Sequence, residues 1–272
     1  MRITFIGGGN MAQAMIGGMV ATKAFRKSQI CAVDIDTKAR AKVKKLGVHA
    51  VPGLSDMSEP PGDLVVLAVK PQSMQAACQS LARVLKGNVV VLSIAAGMRL
   101  NTLAGWLNGH TRLVRCMPNM PALIGAGITA AFAQPSVSRP QRKAVDKVLR
   151  SVGSVIWLED EALLDPVTAV SGSGPAYVFW FIEQLAASGE ALGLEAATAR
   201  KLALETVHGA AKLAAQSKES PASLRERVTS PGGTTEAALK VFEQERLAES
   251  FRRAIEAARR RGAELGEILG KG

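Results

Sequence analysis

Cysteine is scarce in this chain of 272 residues: Cys31, Cys78 and Cys116, an odd number with no C-x-x-C pair. Three isolated thiols build neither a disulfide framework nor a zinc site, and they fit a reducing cytoplasm. The three histidines, His49, His110 and His208, are too scattered to suggest a ligand cluster, so no metal is expected. There is one tyrosine, no RNP-like aromatic motif and no helix-turn-helix spacing, which argues against nucleic acid as a partner. The longest apolar runs, such as Val89 to Ala96, fall far short of a membrane span. Arg2 followed by Ile3 to Ile6 could open a signal peptide, but three glycines and Asn10 end that run early, so it reads as a strand. Repeats and low-complexity linkers are also missing. Acidic residues are short in the first part: residues 1–150 hold 20 Lys/Arg against 6 Asp/Glu, net +14, while residues 151–272 hold 14 against 17, net −3. The overall excess of +11 therefore belongs to the first part, where it would attract a multiply phosphorylated small molecule.

What is present is an ordinary globular composition, 47% hydrophobic and 21% charged, long enough for two domains. Over residues 1–160 short β-type runs (2–6, 29–33, 64–68, 89–93, 112–117, 128–133, 154–158) alternate with amphipathic helical patterns (11–22, 38–46, 72–85, 141–151). That alternation predicts a mostly parallel sheet with helices on both faces. Over residues 161–272 the β pattern disappears. Alanine, leucine and glutamate dominate long helical segments at 175–192, 195–218, 221–228, 234–245 and 247–269. Helices that long cannot bury all their apolar faces within one protomer, so a homodimer is expected.

Two anion cradles stand out. At the N-terminus Ile3-Thr4-Phe5-Ile6 leads into Gly7-Gly8-Gly9-Asn10-Met11-Ala12, a G-x-G-x-x-A fingerprint between a strand and a helix. Gly7 allows a tight turn, Gly9 lets a pyrophosphate approach the backbone, and Ala12 lets helix and strand pack closely. At the end of the second strand Asp34 falls where an acidic residue would bind the ribose 2′-hydroxyl of NAD. Thr37, Lys38 and Arg40 point the other way, since a hydroxyl and two cations could hold a 2′-phosphate. The basic excess favours NADPH, with NADH the alternative. The second cradle is Ser230-Pro231-Gly232-Gly233-Thr234-Thr235, which opens a helix whose first amides attract an anion. Two hydroxyl-bearing threonines and no charged side chain surround the turn, which suits a small carboxylate better than a phosphate.

Four signatures in order, I-G-G-G-N-M-A at 6–12, A-V-K-P-Q at 68–72, S-G-S-G-P-A-Y at 171–177 and S-P-G-G-T-T-E-A-A-L at 230–239, resemble the pyrroline-5-carboxylate reductases, the last enzymes of proline biosynthesis. The resemblance covers essentially the whole chain. It implies an α/β Rossmann-type N-terminal domain followed by an all-α C-terminal dimerisation and substrate domain, with dimers often assembled into rings. It implies hydride transfer from the nicotinamide to C5 of a cyclic imino acid, giving L-proline. Ala68, Val69, Lys70 and Pro71 would line the ribose and nicotinamide side of the cofactor; Ala95, Ala96, Gly97 and Asn119 would flank the nicotinamide. The resemblance assigns Thr235 to the ring nitrogen as the catalytic residue, and Ser230 with the turn at Gly232, Gly233 and Thr234 to the substrate carboxylate. Ser55 and Arg227 stand where some relatives have asparagine. Two rivals fit less well. A β-hydroxyacid dehydrogenase would carry a lysine on the helix after Ser171–Pro175, which has none before Lys201; a non-catalytic NADP-binding sensor need not keep the Ser-Pro-Gly-Gly-Thr-Thr turn.

Overall fold

In the computed structural model, which describes residues 1–270, the apolar runs of the first part become β1 (Ile3–Ile6), β2 (Ile30–Val33), β3 (His49–Val51), β4 (Leu64–Leu67), β5 (Val90–Ser93), β6 (Leu113–Met117), β7 (Gly127–Ala133) and β8 (Gly153–Trp157). They form one sheet in the order β3-β2-β1-β4-β5-β6-β7-β8, parallel throughout except where β7 runs against β6. The helices between strands are α1 (Asn10–Ala21), α2 (Thr37–Lys45), α3 (Met74–Ala82), α4 (Leu100–Trp106) and α5 (Arg139–Arg150). A short α6 (Leu164–Val167) and a wide turn over Thr168–Gly172 follow β8. Sequence reasoning did not include β3, at three residues too short to show a period, or the seven-residue α4.

Side-chain alternation gives the sheet two faces, each with its own core. Ile3 and Phe5 of β1, Leu64 and Val66 of β4 and Leu92 of β5 pack with Met15, Ile16 and Met19 of α1 and Val145, Val148 and Leu149 of α5. Ile6, Val65, Leu67 and Val91 point to the other face, against Met74, Cys78 and Leu81 of α3 and Leu100 and Leu103 of α4. Burial on both faces explains why these strands read as continuous apolar runs. The chain runs from β1 outward to β2 and β3, then returns to place β4 on the other side of β1. The carboxyl ends of β1 and β4 thus form a topological switch point, the position at which such sheets bind ligands.

The compact units differ slightly from the expected division at residue 160. The first comprises residues 1–173 and the chain from Ala258 onward; the second is Gly174–Ala257. The second unit holds α7 (Gly174–Ala191), α8 (Ala196–Gln216), α9 (Pro221–Arg227), α10 (Thr234–Gln244) and the first part of α11 (Leu247–Gly270). Its helix starts are locally encoded: Glu195 caps α8 by accepting from the amides of Ala197 and Thr198, both at 3.0 Å, and Ser220 caps α9 from Ser223 at 3.1 Å. Burial, however, is thin. Only Ala199 and Ala203 of α8 are buried, while Phe179, Trp180, Leu213 and Phe251 are each more than half exposed. A cavity of about 1040 Å³, lined by Tyr177, Trp180, Phe181, Leu239, Phe242 and Phe251 among others, lies within this unit. Apolar faces of this extent belong against another chain.

Candidate active site

The glycine loop is fitted to its place residue by residue. Gly7 has φ +104°, and a Cβ there would lie 2.6 Å from the carbonyl oxygen of Ala68, so only glycine lets β1 turn against the end of β4. This contact brings Ala68 and Val69 beside the loop. Gly8 is buried, and its amide donates to Asp34 Oδ2 at 2.6 Å. Gly9 is different: it is exposed, its φ of −68° is ordinary, and a Cβ would meet nothing within 4 Å. The loop therefore has open space at its third glycine, just where Gly9 caps α1 and the first amides of that helix, from Asn10 and Met11 onward, lack intrahelical partners. Ala12 is buried against the sheet. Sequence reasoning missed Gln13, whose Nε2 donates to the Gly8 carbonyl at 2.6 Å and braces the loop.

The structure shows that the Asp34 carboxylate is already engaged. Besides the Gly8 amide it accepts from the Asp36 amide at 2.8 Å through Oδ1. Asp36 in turn caps α2 through the Lys38 amide at 2.8 Å. Arg40 folds back over the same turn: Nη1 donates to the carbonyls of Asp34 and Ile35 at 2.7 and 2.8 Å, and Nη2 to Thr37 Oγ1 at 3.0 Å. The turn after β2 thus gathers Thr37 and Arg40, with Lys38 exposed beside them. Ile35, 91% exposed on this turn, is a further residue the sequence reading passed over; its signal was an apolar side chain between two aspartates.

Along the carboxyl edge of the sheet, Lys70 is exposed and Pro71 opens the short turn before α3 without wasting an amide. Ala95 is buried and Ala96 exposed, and Gly97 takes φ +75°. Asn119, at the end of the β6 segment, accepts the Ile128 amide on Oδ1 at 3.0 Å, which commits its oxygen and leaves its NH₂ group as the donor. Gly172 of the Ser171–Tyr177 signature lies on Met117, whose Cε would be 2.6 Å from a Cβ there.

In the second unit the Ser230–Thr235 turn has Gly232 at φ +72° and Gly233 as N-cap of α10. The Gly233 amide bonds the Ser230 carbonyl at 2.9 Å, and the Gly232 amide bonds Glu236 Oε2 at 2.7 Å. Both glycine amides are engaged inside the turn, so the glycines contribute shape. The donors at the helix end are the amides of Thr234, Thr235 and Glu236, which a helix start leaves without intrahelical partners. Thr235 is half-buried and Ser230 exposed. Glu236, an acid in the first turn of α10, is itself paired with Lys240 at 3.4 Å. Tyr177 meets Phe251 edge to face, ring centroids 6.2 Å apart.

Among the described residues no group of three or more His, Cys, Asp or Glu could hold a metal ion, and no helix is long and apolar enough to cross a membrane. The cysteines are poor nucleophiles: burial pushes the Cys78 thiol up to about 12 and raises those of Cys116 and Cys31 as well.

A dinucleotide-type glycine loop at a switch point in one unit, with a threonine-bearing helix start in the other, defines the class of nicotinamide-dependent oxidoreductases. Residues 2–97 match the family model described as NADP oxidoreductase, coenzyme F420-dependent, and residues 161–265 that described as pyrroline-5-carboxylate reductase dimerisation. The pyrroline-5-carboxylate reductase of Pseudomonas aeruginosa is 46% identical over 99% of this chain and 98% of its own. The chain belongs to the pyrroline-5-carboxylate reductase family. Among solved structures, that of the Coxiella burnetii reductase superposes with a TM-score of 0.90 at 40% identity, covering 97% of this chain and 98% of the other. The Plasmodium falciparum reductase with NADP bound superposes with a TM-score of 0.87 at 26% identity and the same coverage.

Proposed function

We propose that the chain reduces 1-pyrroline-5-carboxylate to L-proline with NADPH. The observation that carries this reading is the Ser230–Thr235 turn. It offers the first amides of a helix and two threonine hydroxyls, with the one nearby cation, Lys240, already paired with Glu236, which suits one carboxylate on a small ring. When bound, the nicotinamide supplies a hydride to C5 of the ring, and the C=N π pair collapses onto a nitrogen that ends with a proton. The chain has little to do beyond placement. Ser230 and the amides of Thr234 and Thr235 hold the carboxylate. Gly232 and Gly233 set the turn, and the Thr235 hydroxyl orients the ring nitrogen. Gly7, Gly8 and Gly9 with the amides from Asn10 and Met11 receive the pyrophosphate over Ala12. Ala68, Val69, Lys70, Pro71, Ala95, Ala96, Gly97 and Asn119 flank ribose and nicotinamide.

The preference for NADPH is supported at the turn after β2. Each Asp34 oxygen accepts one backbone amide, which spreads the carboxylate's charge into the backbone and softens its repulsion of a phosphate. Thr37, Lys38 and Arg40 supply a hydroxyl and two cations on the same turn. The enzyme acts as a homodimer through its helical unit, with rings of dimers as the larger assembly, in the cytoplasm. Purified protein given synthetic pyrroline-5-carboxylate should oxidise NADPH faster than NADH and form proline in equal amount. Cofactor binding with no proline formed would refute the proposal.

A further inference from the structure

Arg115 is the largest fully buried side chain of the protein's described residues, 2% exposed in the middle of the sheet. Its guanidinium reaches Glu161 Oε1 at 3.1 Å through Nη1 and Asp165 Oδ1 at 3.3 Å through Nη2. Asp165 Oδ2 also binds Arg99 at 2.5 Å, and Glu161 Oε1 accepts the Leu100 amide at 2.9 Å. Two of the four connections therefore end on residues 99 and 100, one residue beyond the Ala95–Gly97 turn. The other two end on β6. A buried ion cluster is a poor device for stability, since apolar side chains of the same volume would serve as well or better. What it provides is direction: a planar fork held by two carboxylates fixes their bearing as well as their distance. Its two cations and two anions also cancel, so it adds no net charge beside the turn.

The same turn is held by a second, independent contact. Gly97 lies against the backbone of α11, where a Cβ on Gly266 would come within 2.6 Å of the Gly97 carbonyl oxygen. A Cβ on Gly97 would in turn lie 3.2 Å from the Gly266 amide nitrogen. Glycine on both sides permits this approach, and the positive φ of Gly97 fits the same need. We propose that the Arg99–Asp165–Arg115–Glu161 cluster and the Gly97–Gly266 contact together form a clamp that positions the Ala95–Gly97 turn for hydride transfer, with Arg115, Glu161 and Gly266 as positioning residues. This rests on the reading of that turn as a wall of the nicotinamide site. The clamp sets where the nicotinamide ring lies, while the adenosine and pyrophosphate are held elsewhere, at the glycine loop and the turn after β2.

The test separates placement from affinity and from folding. Glu161→Gln, Gly266→Ala, Arg115→Met and Arg115→Lys are compared with the wild type for kcat, NADPH Kd by fluorescence, melting temperature and the isotope effect with 4-deuterated NADPH. Because misplacement of about 1 Å can cost up to about 100-fold, kcat should fall roughly 5- to 50-fold in Glu161→Gln and Gly266→Ala, with NADPH Kd changed less than about threefold. The isotope effect should rise as the hydride step becomes limiting. Arg115→Lys should recover part of what Arg115→Met loses, since an ammonium can still reach one carboxylate. Folded Glu161→Gln and Gly266→Ala proteins with wild-type kcat, or with Kd rising in proportion as kcat falls, would overturn the clamp. The wild-type control keeps the two readings apart: proline formed by wild type and all variants alike sinks only the clamp, and none formed by the wild type sinks the wall on which it rests.

Discussion

The glycine loop allows a sharp test because its neighbouring glycines are required for different reasons. At Gly7 the positive φ strains any L side chain by about 1–2 kcal/mol, and a Cβ would stand 2.6 Å from the backbone of Ala68, which cannot rotate away. Gly7→Ala should therefore cost about 2–4 kcal/mol in all and lower the melting temperature by roughly 5–15 °C at the scale of about 2–4 °C per kcal/mol for a domain of this size. At Gly9 the φ is −68° and the space around a Cβ is empty to 4 Å. Gly9→Ala should cost under about 1 kcal/mol, the difference between glycine and alanine at an N-cap, and shift the melting temperature by under about 4 °C. The methyl group would occupy the volume through which a pyrophosphate must approach, so NADPH Kd should rise about 10- to 100-fold, equivalent to about 1.4–2.7 kcal/mol. Thermal unfolding with and without NADPH, together with fluorescence titration, measures both quantities on both variants. A Gly9→Ala protein that binds NADPH as tightly as the wild type would refute the assignment of that open space to the cofactor.

Other outcomes follow from the same geometry. Thr235→Val should lower kcat/KM by roughly tenfold to a few hundredfold, as one hydrogen bond in the site is worth about 1–3 kcal/mol; steady-state kinetics that match the wild type would remove the hydroxyl from the mechanism. Ser230→Ala should raise KM for the imine with kcat little changed, and a pure turnover defect would contradict a role at the carboxylate. Thiol titration of the native protein should find Cys78 and Cys116 unreactive and Cys31, the half-buried one, reacting slowly, because burial disfavours the thiolate at all three. Burial of His110 disfavours its charged form and, with Arg112 nearby, outweighs the hydrogen bond to the Val89 carbonyl at 2.9 Å, so its pKa is lowered. Below about pH 6.5 the unfolded chain takes up a proton that the folded chain refuses. Stability should thus fall as pH drops through that region, and His110→Gln should flatten the slope in denaturant melts taken between about pH 7 and pH 5.

Much of the fold was legible because the signals were local. Doubly buried strands have to be continuous apolar runs, and β1, β2, β4, β5 and β6 appear where such runs stand, while the less buried β7 and the edge strand β8 appear at the β-branched runs that follow them. β3 escaped because His49–Val51 pairs along only three residues, fewer than any pattern needs to repeat. The boundary between units fell later than residue 160 for a related reason. α6 and the turn to Gly172 are helical in composition, yet Asp165 and Gly172 are tied by side chain and by backbone to Arg115 and Met117 of the sheet. Composition reports the local period; membership of a unit depends on contacts with residues some 50 positions away.

The same division between local and distant information governs the site. Which residues would be glycine, hydroxyl or acid was plain, but where each amide and carboxylate spends its hydrogen bonds was not. Asp34 reads from sequence as a ligand for ribose, and only folding brings the Gly8 amide, 26 positions earlier, to within 2.6 Å of it. The Ser230–Thr235 turn reads as a source of donors, yet the amides of Gly232 and Gly233 turn inward to Glu236 and Ser230. In both turns, then, the residues that define the motif are largely consumed in shaping it, and the amides left unspent are the next ones along: those from Asn10 and Met11 at α1, and those of Thr234 and Thr235 at α10. A helix start can be read as a bound anion's address only after the turn's own demands on its donors have been subtracted, and that subtraction requires the long-range partner.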